Sequence, residues 1–233
     1  MTFLQKICNA WSLLRFRELT CTGDYCPRCG VTLIIKLADQ SISVRCIRCG
    51  ASAIHLSIMQ ALNEVCPDIF RFDVYEMSSR GPLFTYLRRH AGSLVFSEYY
   101  DDVAPGAFRN GIQCQDVMRL TYPDASFDLC TSTEVFEHVA DDRRGFREMC
   151  RVLRPGGRFV FTVPLTDVEK TVERAVMVDG EIHHLLPPEY HGDSIRGQNR
   201  VLCFRNYGRD ILQRLSDADF RDTWLVPADP ILW

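Results

Sequence analysis

Apolar and polar positions change their spacing several times along this chain. From Met1 to Leu19 the apolar residues Phe3, Leu4, Ile7, Trp11 and Leu14 fall at roughly helical intervals, broken by Lys6, Arg15 and Arg17, which predicts a short amphipathic helix. Residues 20–53 are rich in Cys, Gly and Arg, with strand-like runs at Val31–Leu37 and Ser41–Arg45. Ile54, Ile58, Ala61, Leu62 and Val65 then keep helical spacing up to Pro67, where a helix must stop. From Phe72 onward short β-rich runs alternate with helical stretches. Phe72–Met77, Ser93–Ser97, Ile112–Asp116, Phe127–Thr131 and Arg158–Pro164 read as strands, and Leu83–His90 and Asp142–Leu153 as helices. A helix over Tyr207–Asp219 and a strand over Phe220–Val226 follow. Strand alternating with helix predicts an α/β fold with a mostly parallel sheet. The organisation expected is a helix over 1–19, a cysteine module over 20–53, a linking helix over 54–71 and an α/β domain over 72–233.

Composition adds little to this and excludes a few classes. At 46% hydrophobic and 24% charged residues the chain can bury an ordinary core. It has no apolar run long enough for a transmembrane helix and no secretory signal pattern at its start. Of the eleven cysteines, four form two tight pairs and the rest are scattered among apolar neighbours, a usage that suits a reducing, cytoplasmic setting. Residues 1–67 carry seven Lys/Arg against four Asp/Glu, while the whole chain sums to -3. A basic appendage on an acidic body points toward an anionic partner such as nucleic acid. Four thiolates around one divalent ion would cancel about two of those positive charges, so this argument is slight.

The two pairs are Cys26-Pro-Arg-Cys29-Gly30 and Cys46-Ile-Arg-Cys49-Gly50, sixteen residues apart. Each places two sulfurs toward one ion, and the glycine behind permits a tight reversal. Four thiolates complete a tetrahedral ion and leave no open position, so Cys26, Cys29, Cys46 and Cys49 are expected to hold a structural zinc in a zinc ribbon. Iron is the lesser alternative, and a redox pair would come singly in a different context.

The α/β part carries an ordered series of motifs. The first strand ends in Glu76 and runs through Met77-Ser78-Ser79-Arg80-Gly81 into a helix. Strand–turn–helix units of this kind let a nucleotide-like ligand approach the backbone. Twenty-two residues on, Glu98 closes the second strand, where an acid can accept both hydroxyls of a ribose. A third strand ends in Asp116, Val117 and Met118; PDASFD opens the fourth, which runs into EVFEHV, and LRPGGRFVFTVP ends a helix and enters the fifth. Pro155 stops the helix and the glycines allow the reversal.

Taken in order, these segments resemble the class I S-adenosylmethionine-dependent methyltransferase family, in its small-molecule-type branch, over about residues 70–225. The resemblance implies a Rossmann-like sandwich and methyl transfer from S-adenosylmethionine. It implies that Glu76, Ser78, Ser79 and Gly81 approach the methionine part of the cofactor, Glu98 the ribose, and Asp116 and Val117 the adenine. It places Thr131 to Glu134 at the strand end near the methionine moiety or the acceptor. The first turn departs from the family pattern, which carries several glycines where this chain has Ser78, Ser79 and Arg80. The chain also has few residues after Val226, so the last strand of the family sheet is expected to be abbreviated.

Glu137 and His138 are expected to fix a loop, and the charged run Asp141–Arg147 to cap a helix and face solvent. Between Gly180 and Asp193 lie three histidines, two glutamates and a tyrosine, in the place where the family has an acceptor-side insertion. His191 and His184 are the candidate catalytic residues there, as a general base or metal ligands. The reading is methyl transfer to an O or N nucleophile of a small molecule, glycan or lipid precursor. Two alternatives stay open: a non-catalytic zinc-ribbon adaptor on a degenerate methyltransferase fold, and a zinc-ribbon RNA methyltransferase.

Overall fold

The computed structural model describes residues 20–37, 43–192 and 200–226. The helix expected over Met1–Leu19, the start of the run at Ser41 and the return strand after Val226 lie outside the described residues. The chain divides into two compact units.

The described part of the first unit comprises residues 20–37, 43–67, 80–89 and 226. Strands β1 (Thr20–Cys26) and β2 (Gly30–Lys36) form an antiparallel hairpin whose tight end brings Cys26 opposite Gly30. The short β3 (Val44–Cys46) joins the other side of β2, with Cys46 opposite Ile34. Two backbone turns, Cys29 N–H to the Cys26 carbonyl at 3.0 Å and Gly50 N–H to the Cys46 carbonyl at 2.8 Å, close the two cysteine pairs. Helix α1 (Ala53–Val65) buries Leu56, Ile58, Met59 and Leu62 and stops before Pro67 as the sequence requires. In helix α2 (Gly81–His90) Leu83, Phe84, Tyr86 and Leu87 are buried, and the Tyr86 hydroxyl donates to Asn63 Oδ1 on α1.

The second unit, 68–79 and 90–225, holds the sheet. In chain order its strands are β4 (Asp73–Glu76), β5 (Ser93–Glu98), β6 (Phe108–Arg109), β7 (Ile112–Cys114), β8 (Phe127–Thr133) and β9 (Leu153–Thr162). Their spatial order is β6-β7-β5-β4-β8-β9, parallel throughout except for β6, which lies antiparallel on the β7 edge. This is a Rossmann-like, doubly wound arrangement. The chain works outward from β4 through β5 to β7 and then returns to β4's other side with β8. The order therefore reverses between β4 and β8, and ligands bind in such sheets at the carboxyl ends of the strands flanking that reversal. β8 is buried almost continuously from Phe127 to Ser132, as a central parallel strand should be. Between Phe127 and Leu129 its register on β9 jumps from Leu153 to Arg158, which sets Arg154–Gly157 out of the ladder as a bulge. Gly156 has a φ of 82°, a conformation that favours glycine.

Helix α3 (Asp142–Val152) joins β8 to β9 and buries Phe146, Met149 and Val152. The Phe146 ring stacks on Phe136 with centroids 4.4 Å apart. These residues, with Tyr75, Phe127, Cys130, Tyr207 and Ile211, form one core. Asp141 caps α3 through the Arg144 N–H, as expected, but Asp142 does not face solvent. It is buried against Arg214 at 2.9 Å and accepts from the Tyr207 hydroxyl at 2.8 Å, both supplied from far along the chain.

Residues 165–207 form short antiparallel ladders: β10 (Val172–Glu173) with β15 (Arg205–Asn206), β11 (Ala175–Val178) with β12 (Glu181–His184), and β13 (Tyr190–His191) with β14 (Val201–Leu202). Two expectations fail here. The helix expected over Tyr207–Asp219 is only α4, Ile211–Ser216. Tyr207 is held extended by a bridge to Leu165, and a Cβ on Gly208 would sit 2.5 Å from the Lys170 carbonyl carbon, so the chain cannot coil until it clears that contact. The strand expected over Phe220–Val226 is absent; its apolar residues Trp224, Leu225 and Val226 are exposed, and among the described residues β9 pairs only with β8.

Candidate active site

The carboxyl ends of β4 and β8, at the reversal of strand order, are joined through side chains. Thr131 Oγ1 donates to Glu76 Oε2, and both residues are buried. Burial pushes the Glu76 carboxyl up to about 8, with the nearby Glu98 charge adding to the rise, so near neutral pH it stands mostly protonated. Beside it, at the end of β5, Glu98 is buried. Its Oε1 accepts from the Ser79 N–H at 2.8 Å, the Ser79 hydroxyl at 2.7 Å and the Ser78 hydroxyl at 3.5 Å. The serines that replace the family's glycines therefore have a definite use, which is to hold one oxygen of this carboxylate. Among the described residues no hydrogen bond from protein reaches Oε2. Gly81, opening α2, takes a φ of 94°. Past β7, Asp116 Oδ1 accepts from the Met118 N–H at 2.9 Å, and Val117 packs on the core. The structure thus brings Glu76, Ser78, Ser79, Glu98 and Thr131 together; Asp116 and Val117 lie past the end of β7, which neighbours β5.

A second polar cluster follows β8 directly. Glu134, next after the strand, has a φ of 52°, a left-handed conformation that non-glycine residues hold only when their surroundings impose it. Burial first, and the Glu137 charge second, push its carboxyl up to about 7. Glu137 is fully buried, and among the described residues neither of its oxygens has a hydrogen-bond partner. Its Oε1 lies 3.6 Å from His138 Nε2 and 3.6 Å from His191 Nδ1. His191 Nε2 is 3.3 Å from Glu189 Oε1, whose other oxygen meets Arg174 Nε at 3.2 Å. These carboxylates, Glu137 foremost, hold the His191 imidazole above its ordinary range. The loop carrying Glu137 is pinned from the far end of the chain. Arg205 donates to the carbonyls of Phe136 at 3.0 Å, Val139 at 2.5 Å and Ala140 at 2.9 Å, and the Phe204 N–H donates to the Glu137 carbonyl at 2.7 Å.

Of the two histidines singled out in the sequence, His191 belongs to this cluster. His184 lies apart from it, exposed on β12 opposite Ala175. Sequence reasoning gave Glu137 and His138 only a loop-fixing part, set Glu134 at the strand end with Thr131, and noted the glutamates near His191 without pairing them to it. It missed Arg205, which nothing local marks, since it arrives from another ladder.

In the first unit the sulfur atoms of Cys26, Cys29, Cys46 and Cys49 all lie within 4.8 Å of one another, the donor set and clustering of a closed tetrahedral metal site. Cys21 is exposed and stands outside it.

Residues 81–161 match the family profile described as "Methyltransferase domain". Over 45 residues the chain is 56% identical to a demethylmenaquinone methyltransferase of Deinococcus radiodurans, covering 19% of each protein. Over 43 residues it is 51% identical to the 27-O-demethylrifamycin SV methyltransferase of Amycolatopsis mediterranei, covering 18% of this chain and 16% of the relative. The chain thus spans less than a fifth of the length of these relatives. A crystal structure of an S-adenosylmethionine-dependent methyltransferase from Mesorhizobium loti superposes with a TM-score of 0.47 at 20% identity, covering 73% of this chain and 82% of that one.

Proposed function

We propose that this chain, whose residues 81–161 match a methyltransferase domain profile, transfers a methyl group from S-adenosylmethionine to an O or N nucleophile of a small-molecule acceptor. The observation that carries the reading is the pair of buried acids, Glu76 and Glu98, at the carboxyl ends of β4 and β5 beside the reversal of strand order. The residues fit the cofactor. Glu98 has one oxygen fixed by Ser79 and the other open toward a ribose-like pair of hydroxyls. Glu76 is a buried acid that a cation would draw back to its charged form. Asp116, with Val117 beside it, serves the adenine end.

S-adenosylmethionine supplies an electrophilic methyl on a positively charged sulfur. The chain's own work is mainly alignment, because holding the reactants in line removes most of the entropic part of the barrier. The acceptor forms its bond to the methyl carbon as the carbon–sulfur bond breaks and leaves its electron pair on sulfur. An O–H or N–H acceptor must also shed a proton. Glu134, Glu137, His138 and His191 form the polar wall beside β8 where that proton can be drawn off, and His191 is the acceptor-side residue assigned here. The four-cysteine ribbon holds zinc as a structural ion. Two of the matching segments above belong to relatives whose names specify small-molecule acceptors, which supports that class over RNA.

The test is incubation with cofactor carrying a labelled methyl group and panels of hydroxylated and aminated small molecules. Label appearing in a small acceptor supports the reading. Label entering RNA and no small molecule would replace it with the RNA reading, and cofactor bound without transfer to either class would favour the adaptor.

A further inference from the structure

Glu137 is a carboxylate with no exposed surface and, among the described residues, no hydrogen-bond partner on either oxygen. A buried carboxylate left that way costs several kcal/mol on the order-of-magnitude scale for uncompensated ions, so something must meet it. Two imidazole nitrogens face it at 3.6 Å each, His138 Nε2 and His191 Nδ1. The ligand atoms of these three residues all lie within 4.8 Å of one another. Donors bonded to one tetrahedral ion at about 2.0–2.1 Å stand about 3.3 Å apart, so the two 3.6 Å carboxylate–imidazole separations are within a few tenths of an ångström of that spacing.

We infer that Glu137, His138 and His191 hold a divalent transition-metal ion, and that this is a second metal site in the chain, separate from the four cysteines. The outer partners agree. His138 Nδ1 lies 2.8 Å from the Leu202 carbonyl, so it carries the proton, and Nε2 is the nitrogen turned toward Glu137. His191 Nε2 faces Glu189 Oε1 at 3.3 Å, so Nδ1 is the free nitrogen, again toward Glu137. A ligating histidine whose other nitrogen is held by a carbonyl or a carboxylate is the usual support of a protein metal centre. Cys203 lies near Glu189 and His191, but its thiol already donates to the Arg205 carbonyl at 3.0 Å, which leaves the carboxylate and two imidazoles as the donor set. That set suits zinc, manganese, iron or cobalt in the divalent state over calcium or magnesium. Three protein ligands leave a coordination position open, and an oxygen of the acceptor is the group that would fill it. This last step rests on the proposed methyl transfer; the metal site does not.

The experiment is cobalt loading of the full chain after removal of bound metal, followed by absorption spectroscopy and metal counting. Cobalt in the cysteine site gives intense sulfur-to-metal charge-transfer bands, whereas a carboxylate–imidazole site gives weak visible bands alone. The wild type should take up two equivalents, one of each kind. His191→Ala and the near-isosteric Glu137→Gln should each bind the second equivalent at least tenfold more weakly while keeping the charge-transfer bands and a wild-type melting profile. A wild type that takes up only the cysteine-bound equivalent, or variants that bind two as tightly as the wild type, would overturn the inference. Titration of the same samples with S-adenosylmethionine keeps the two readings apart. Protein that takes up the second equivalent yet binds no cofactor upholds the metal site and removes the function, and protein that binds cofactor yet never takes up the second equivalent does the reverse.

Discussion

His138 Nδ1 stands 2.8 Å from the carbonyl oxygen of Leu202, sixty-four residues further along the chain. The contact ties the loop after β8 to β14, the strand that pairs with the one bearing His191. The acceptor-side cluster is therefore assembled by the late ladders, and its geometry depends on how firmly they grip residues 134–140.

Arg205 is the main grip. It is 3% exposed and donates to three loop carbonyls while its Nε meets Glu173 at 3.1 Å. Lysine keeps the charge but not the planar fork. Arg205→Lys should cost about 2–4 kcal/mol in urea unfolding, since it leaves buried carbonyls and a carboxylate underpaired. Methyl transfer should fall with it.

Glu76 makes stability depend on pH in a stated direction. Its folded-state value, about 8, lies above that of an exposed glutamate, so its contribution is fully present at low pH and is lost as pH rises through that value. The wild type should lose melting temperature between about pH 5 and pH 8. Glu76→Gln, which resembles the protonated acid, should flatten that part of the profile; a parallel decline in both proteins would show that another group is responsible.

Ser79 sets the position of Glu98 through its N–H and its hydroxyl. Ser79→Ala keeps the first bond and removes the second, worth about 1 kcal/mol. Cofactor affinity by equilibrium dialysis should fall about fivefold, whereas a purely ornamental serine would leave it unchanged.

The ribbon has a different dependence. Cys26 and Cys46 are buried at the ends of β1 and β3, and the small sheet offers little other core. Metal binding in such modules is a large part of their folding energy. Chelation or Cys46→Ser should open residues 20–50 to protease while residues 68–225 stay resistant, as mass spectrometry of the fragments would show.

The parallel sheet was readable because its signals are local. Short apolar runs end in Glu76, Glu98 and Asp116, and the Pro155–Gly157 turn separates a helix from a strand within one stretch of chain. The ribbon was readable for the same reason. What escaped depends on partners distant in sequence. Asp142 looked like a solvated helix-start acid until Arg214 and Tyr207 enclosed it. Phe220–Val226 has the composition of a strand, yet composition cannot supply the neighbour a strand needs. His191 was legible as a residue of interest, but its pairing with Glu137 is made by ladders too short to announce themselves. His184, equally conspicuous in sequence, lies exposed on a separate hairpin.

The most direct test of the account is calorimetric titration of the zinc-replete protein with S-adenosylmethionine and S-adenosylhomocysteine, alongside Glu98→Ala. The account predicts micromolar binding of both ligands to the wild type and its loss in the variant. No binding at millimolar cofactor, or affinity unchanged by Glu98→Ala, would contradict it.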